Sequence, residues 1–178
     1  GEGEAVAVKI LAALGAEAAP PKVSSILRYA SALLQVGLRD KAIEACRRAI
    51  EADPKSDKAW ARLSLVYRHD PVGRIHKSGM KPDEAEDAIL KAIALAPDEK
   101  RYIAERALIK EWKSGIEYED TVELAGAIQL LQTAAKDLPS IGQQDLLPEA
   151  LFYARHFQEV KDFYLREQNV PLQMFRGM

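Results

Sequence analysis

Three histidines, one cysteine and two charged clusters are the residues whose types invite a chemical reading. His69 and His76 flank a loop that also holds Asp70, and His156 lies far along the chain. Zinc sites on helices use His-x-x-x-His or His-Glu-x-x-His, which put two imidazoles on one face. Neither spacing is present, so His69 and His76 read as solvated loop residues and no metal is expected, with a metal or enzyme site in their loop as the lesser alternative, while His156 falls in the last helical pattern. Cys46 sits among alanines at a helix-packing position and reads as a small buried hydrophobe, not a reactive thiol. Glu117, Glu119, Asp120 and Glu123 gather at the start of a helical pattern, where acids suit the helix dipole. There is no Gly-rich phosphate loop and no Gly-x-Ser-x-Gly. The expectation is a protein that is not an enzyme and needs no cofactor. The other cluster is basic. Residues 58–81 carry Lys58, Arg62, Arg68, Arg74, Lys77 and Lys81 against the single acid Asp70, a local excess of five positive charges. Lys58, Arg62, Leu65 and His69 follow i, i+4, i+7, i+11, which places them on one stripe of a helix. Such a stripe attracts acidic segments and speeds encounter.

The elements that must position this stripe follow from composition and period. The chain has 178 residues, room for one domain or a short repeat array. It holds 28 alanines and two threonines, which favours helix over strand throughout. The formal charge is −2, which argues against general nucleic-acid binding. A lone cysteine excludes an internal disulfide and is compatible with a reducing compartment. No stretch approaches 18 uninterrupted apolar residues, so no membrane span is expected. Gly1-Glu2-Gly3-Glu4 lacks the basic start and apolar core of a signal peptide, and the compartment is not readable from it.

Three segments repeat one pattern: Ala, a larger residue four on, Ala seven on, Pro twelve on. The positions are 42/46/49/54, 85/89/92/97 and 127/131/134/139. Positions i, i+4 and i+7 share a helix face, and alanine there lets a neighbouring helix approach closely. Proline then ends the helix. Ahead of these helices lies a second pattern, clearest as Trp60-x-x-Leu63-Ser64-x-x-Tyr67. Helices are expected near 4–18, 23–36, 39–52, 56–69, 83–95, 99–113, 119–137 and 148–168.

Together the two patterns resemble the tetratricopeptide repeat, whose first helix carries W-x2-L-G-x2-Y and whose second carries A-x3-F with a closing proline. Trp60, Leu63 and Tyr67 match, Ser64 replaces the glycine, and Cys46, Ile89 and Leu131 stand at the Phe position. Weaker first helices carry Ile26, Tyr29, Ala30 and Leu33, and Ile103, Ala107 and Lys110. Pro20 to Pro54 spans 34 residues, the period of the family, but the next two spacings are 43 and 42. The surplus falls inside the repeats, as insertions near 69–82 and 112–121 expected on one edge of the stack. The resemblance implies an all-α, right-handed α-solenoid of antiparallel helix pairs. Residues 23–139 would form three repeats. Residues 1–22 would be a cap or the back half of an earlier repeat, and 140–178 a capping helix with an extended apolar tail.

In this family the first helices line a concave groove that holds partner peptides. The resemblance places Ser24 with Arg28, Lys58 with Arg62, and Arg101 with Glu105 side by side on that face. Arg28, Lys58, Arg62, Leu65, His69 and Arg101 are therefore the expected partner-binding residues, with Leu65, Tyr67 and Trp112 as candidate anchors and Tyr67 favoured for the core. Lys58 and Arg62 also resemble the last pair of the clamp with which some members grip a chaperone's C-terminal carboxylate. That clamp needs asparagines, the chain's only one is Asn169, and Arg28 stands where one is required, so a full clamp is excluded. The expected function is a non-catalytic interaction module or scaffold binding an acidic protein or peptide segment. The alternatives are self-association through the aromatic last helix and tail, giving a homo-oligomer, or RNA binding by the helical repeat. The last is disfavoured by net charge.

Overall fold

A computed structural model describes residues 2, 5, 6, 8, 9, 22–75, 77–115 and 121–166. Helix 4–18 as a whole, His76, the acids Glu117, Glu119 and Asp120, and the apolar tail lie outside the described residues. The described chain is helical. It runs α1 (Val23–Gln35), α2 (Arg39–Ala52), α3 (Asp57–Tyr67), α4 (Pro82–Leu95), α5 (Lys100–Lys113), α6 (Thr121–Ala134), a 3-10 turn at Pro139–Ile141, α7 (Leu146–Tyr153) and α8 (Phe157–Arg166). Each helix packs on the next, and α1 also touches α3 and α5 touches α7.

The helix ends follow local chemistry. Ser56 caps α3 by accepting from the Ala59 amide at 3.3 Å, and Glu99 caps α5 by accepting from the Arg101 amide at 3.1 Å. Pro82 opens α4 with Asp83 and Glu84 behind it, where a missing N–H costs nothing and acids meet the helix dipole. α2 and α4 stop just before Asp53-Pro54 and Ala96-Pro97.

The alanine register is the packing register. Ala42, Cys46 and Ala49, Ala85, Ile89 and Ala92, and Ala127, Leu131 and Ala134 are all fully or almost fully buried. Ser64 explains its own small size: its hydroxyl is buried and donates to the Ala85 carbonyl at 2.7 Å, where α3 crosses α4. Trp60 donates its indole N–H to the Pro54 carbonyl at 3.2 Å and carries Lys91 over its ring at 4.3 Å, so the signature tryptophan ties the turn before α3 to α4. Two apolar cores result. α5 serves both, giving Tyr102 and Ile109 to the first and Ala104 and Ala107 to the second. Ion pairs bind its flank. Glu86 of α4 accepts from Arg106 at 3.2 Å and Lys113 at 2.9 Å, and Glu123 of α6 accepts from Lys110 at 2.6 Å.

Two expectations need correction. The single helix over 148–168 is two helices, and the first starts at Leu146 rather than after Pro148. Proline is tolerated there because first-turn amides have no intrahelical partner. The break comes at Arg155, which takes a left-handed φ of 62°. The Arg155 amide donates to Phe152 O and the His156 amide to Leu151 O, the Schellman pair that closes a helix. The same pair closes α1, with Gly37 in the left-handed position.

The stretch between α3 and α4 also differs from a solvated loop. Asp70 is buried. It accepts from the Val72 amide at 3.1 Å, the Arg74 amide at 2.8 Å and Arg74 Nε at 2.7 Å. His69 and Ile75 pair as an isolated antiparallel bridge. Arg39 at the start of α2 is buried under the loop, donating to Gly79 O at 2.7 Å and His69 O at 3.3 Å. The loop thus folds back on the α1–α2 turn, with Gly73 against Leu34 and Gly37. Val72 and Ile75 remain exposed on its outer side.

Candidate functional site

Of the expected stripe, Lys58, Arg62 and Leu65 are on α3, whereas His69 lies past the end of the helix in the bridge with Ile75. Ala59, Leu63, Val66 and Tyr67 are buried on the core side. Lys58 is exposed, and Arg62, Leu65 and His69 are half-buried along the other side. Tyr102 of α5 donates its hydroxyl to Asp57 Oδ2 at 2.7 Å, which pins the start of α5 beside the start of α3. This brings Glu105 of α5 into electrostatic reach of Arg62 on α3 and of Arg68 at its C-cap. Arg28 is exposed on α1, which packs along α3.

The charges on this face are less uniform than their count in the sequence. Arg68 is buried, which lowers its pKa, while the nearby Glu105 carboxylate counteracts that effect. Arg74 is committed to Asp70. His69 is held below its ordinary pKa by burial and by Arg68, against the Leu65 carbonyl and Asp70, which favour the charged form. Its Nδ1 donates to Leu65 O at 2.8 Å, and the net downward shift favours the neutral ring. Glu105 lies at the centre. Burial raises its pKa, and Arg68, Arg101 and Arg62 work against that rise. Its Oε2 is buried with no hydrogen-bond partner. The sequence pairs Glu105 with Arg101 by helical spacing alone. Only the approach of α5 to α3 brings Arg62 and Arg68 within electrostatic reach of it as well.

The other singled-out residues fall elsewhere. Cys46 is fully buried, and burial pushes its thiol up to about 12 against the pull of Arg62, which makes it unreactive. Tyr67 is core, its hydroxyl accepting from Arg47 Nη2 at 3.2 Å, while Trp112 is half-buried. A shallow groove of about 570 Å³ runs between α5 and α6 past Val122, Ala125 and Leu130. Its two basic residues, Arg106 and Lys110, are already bonded to Glu86 and Glu123. Among the described residues no three His, Cys, Asp or Glu side chains are grouped to hold a metal ion. No described helix is long and apolar enough to cross a membrane. One residue escaped sequence reasoning altogether: Glu111, inside α5, is a buried carboxyl pushed up to about 7 by burial and by Glu149.

Comparison with known proteins agrees with the helix pairing. Residues 23–66, spanning α1, α2 and nearly all of α3, match the family model of the tetratricopeptide repeat. No curated protein and no solved structure matches the chain. Repeats of this family generally mediate protein–protein interaction and are typically non-catalytic. Residues 23–66 thus carry a tetratricopeptide-repeat match, and the described helices after them pack in succession in a way consistent with an all-helical repeat solenoid.

Proposed function

We propose that the protein is a non-catalytic interaction module that binds an acidic partner segment on the face formed by α1, α3 and α5. What supports this reading is that Arg62 of α3, Arg68 at its C-cap and Arg101 of α5 all lie within electrostatic reach of one carboxylate, Glu105. Lys58 and Arg28 are exposed on the same series of first helices and extend the positive charge beyond that cluster. Leu65, half-buried one turn past Arg62, supplies apolar contact, and His69 a neutral hydrogen-bonding edge. Residues 23–139 act as three repeats that present this face, flanked by a cap or half repeat at 1–22 and a closing segment at 140–178. Guanidinium forks recognise carboxylates in two parallel hydrogen bonds, so arginines here favour Asp- and Glu-rich segments over neutral ones.

Fluorescence anisotropy with labelled hexapeptides rich in Asp and Glu tests the reading. The native chain is expected to bind them, more weakly as salt rises. The double variant Lys58→Glu/Arg62→Glu, with its helical circular dichroism intact, is expected to lose at least about tenfold in affinity, the scale of one lost charge-assisted contact. Equal binding by the two chains would refute the basic face.

Self-association is a second reading, favoured by apolar exposure at the far end. Phe152 and Phe157 are each 45% exposed, with ring centroids 5.7 Å apart, and Leu165 is 59% exposed. Light scattering across a concentration series is expected to show a rise from monomer towards dimer mass, abolished by Phe152→Ser/Phe157→Ser. A monomer mass at every concentration removes this reading.

A further inference from the structure

We infer that the loop between α3 and α4 is the second half of the partner site, a preformed apolar knob of Val72 and Ile75 that takes aliphatic side chains placed next to the acids bound at Lys58 and Arg62. The inference rests on the acidic-partner reading above and concerns which acidic segments the site accepts. Val72 is 60% exposed and Ile75 42% exposed. The loop that presents them is fixed at three levels. Its base is closed by the Lys81 amide, which donates to Tyr67 O at 2.8 Å. Its middle is closed by the His69–Ile75 bridge, and its tip by Asp70, which accepts from the Val72 and Arg74 amides and from Arg74 Nε. Underneath, Arg39 donates to Gly79 O and His69 O, and Gly73 rests on the Leu34 carbonyl. The Val72 carbonyl lies close enough to Gly37 that an added Cβ there would sit 3.1 Å from its oxygen. Backbone thus fills the space under the loop, and the two aliphatic side chains are left outside. A partner that covers them removes apolar surface from water with little further ordering of the loop.

The knob stands at the end of the basic stripe. His69 Nδ1 reaches back to the Leu65 carbonyl at 2.8 Å, and Ile75 pairs with His69, so the line from Lys58 through Arg62 and Leu65 continues onto Ile75. From Arg62 that path is on the order of 15 Å, at about 1.5 Å per helical residue and about 5 Å across the bridge. An extended segment covers it in about four or five residues. The charges around the knob have the same sign as those of the stripe. Arg74 is 68% exposed while bonded to Asp70, Lys77 is exposed, and Asp70 itself is buried. Asp40, exposed at the start of α2, is bonded to Arg39. The complement is a segment with carboxylates at one end and aliphatic residues about four positions away. A uniformly acidic segment leaves Val72 and Ile75 in water, and a uniformly apolar one leaves the cations of α3 unanswered.

The test uses the full chain and fluorescence anisotropy with two labelled peptides. One has three glutamates, then three serines, then two leucines, and its control has serines in place of the leucines. Both are also made in the reversed order, so that either chain direction is sampled. In one of the two orders the leucine peptide is expected to bind the native chain about tenfold more tightly than its control, the scale of an aliphatic side chain removed from water. Val72→Ser/Ile75→Ser, with its helical circular dichroism intact, is expected to bind the two alike. In the native chain the Ile75 δ-methyl resonance is expected to shift with the leucine peptide and to stay in place with the control. If the control binds while the leucines add nothing in either order, or if their gain survives in Val72→Ser/Ile75→Ser, the inference is overturned and the acidic-partner reading stands. A methyl resonance that ignores the leucines overturns it as well. If neither peptide binds the native chain, both readings fall. A mass that rises with concentration, and no longer does so in Val72→Ser/Ile75→Ser, means that a second copy covers the knob and likewise overturns the inference.

Discussion

Gly73→Ala is expected to destabilise the stack by about 3 kcal/mol, the sum of a left-handed backbone penalty and a steric one. Gly73 has a φ of +81°. A methyl group on it would lie 2.5 Å from the Leu34 carbonyl oxygen and 3.2 Å from Gly37 Cα. Both are backbone atoms that cannot swing aside. The Leu34 carbonyl is also the acceptor for the Gly37 amide at 3.0 Å, part of the bond pair that closes α1. Pushing it therefore disturbs both the loop and the turn on which the loop rests. Gly142→Ala is the control. Its φ is +70°, but nothing lies within 4 Å of the added methyl. That variant is expected to lose only about 1 kcal/mol, the conformational cost alone. Urea denaturation of the two variants and the native chain checks the ranking. If Gly73→Ala is as stable as Gly142→Ala, the loop does not bear on the first helix pair as described.

Glu111→Gln is expected to stabilise the protein, and only at neutral and higher pH. Burial and the charge of Glu149 raise the Glu111 carboxyl to about 7 in the folded chain, against about 4.3 in the unfolded one. Between these values the folded chain holds a proton that the unfolded chain has released. Stability therefore falls as pH rises through this window, and the cost is fully developed above it. The size of the window corresponds to about 4 kcal/mol. Glutamine fills the same space with no charge to bury, so the variant is expected to gain about that much at pH 8 and close to nothing at pH 4. Urea denaturation of the pair across pH 4 to 8 reads the difference directly. A gap between the two chains that does not widen with pH would show that Glu111 is solvated when ionised.

These two sites also mark the limit of what spacing can reveal. The positions 42/46/49, 85/89/92 and 127/131/134 state in advance which face of α2, α4 and α6 is buried, because helical period is local. Trp60, Leu63 and Tyr67 likewise identify the inner face of α3, and the prolines at 54 and 97 locate the helix ends. The split between α7 and α8 carries no such mark. A glycine at the left-handed position would have announced it, but the chain uses Arg155. The charge sum over 58–81 is correct as a count and incomplete as a description. Arg68 turns inward, Arg74 is spent on Asp70, and His69 is neutralised by its surroundings.

Helicity, most helix ends and the alanine-lined buried faces were legible in residue order, since these depend on neighbours within a turn or two along the chain. The side of α3 that carries Lys58, Arg62 and Leu65 was legible for the same reason, but the end of the helix before His69 was not. Which charges sit near a counter-charge depends instead on how the helices pack. Glu105 comes within electrostatic reach of Arg62 and Arg68 where the Tyr102–Asp57 hydrogen bond holds α5 beside α3. The loop on the α1–α2 turn and the raised carboxyl of Glu111 were decided in the same way. Close approach and desolvation are properties of packed neighbours rather than of residue order.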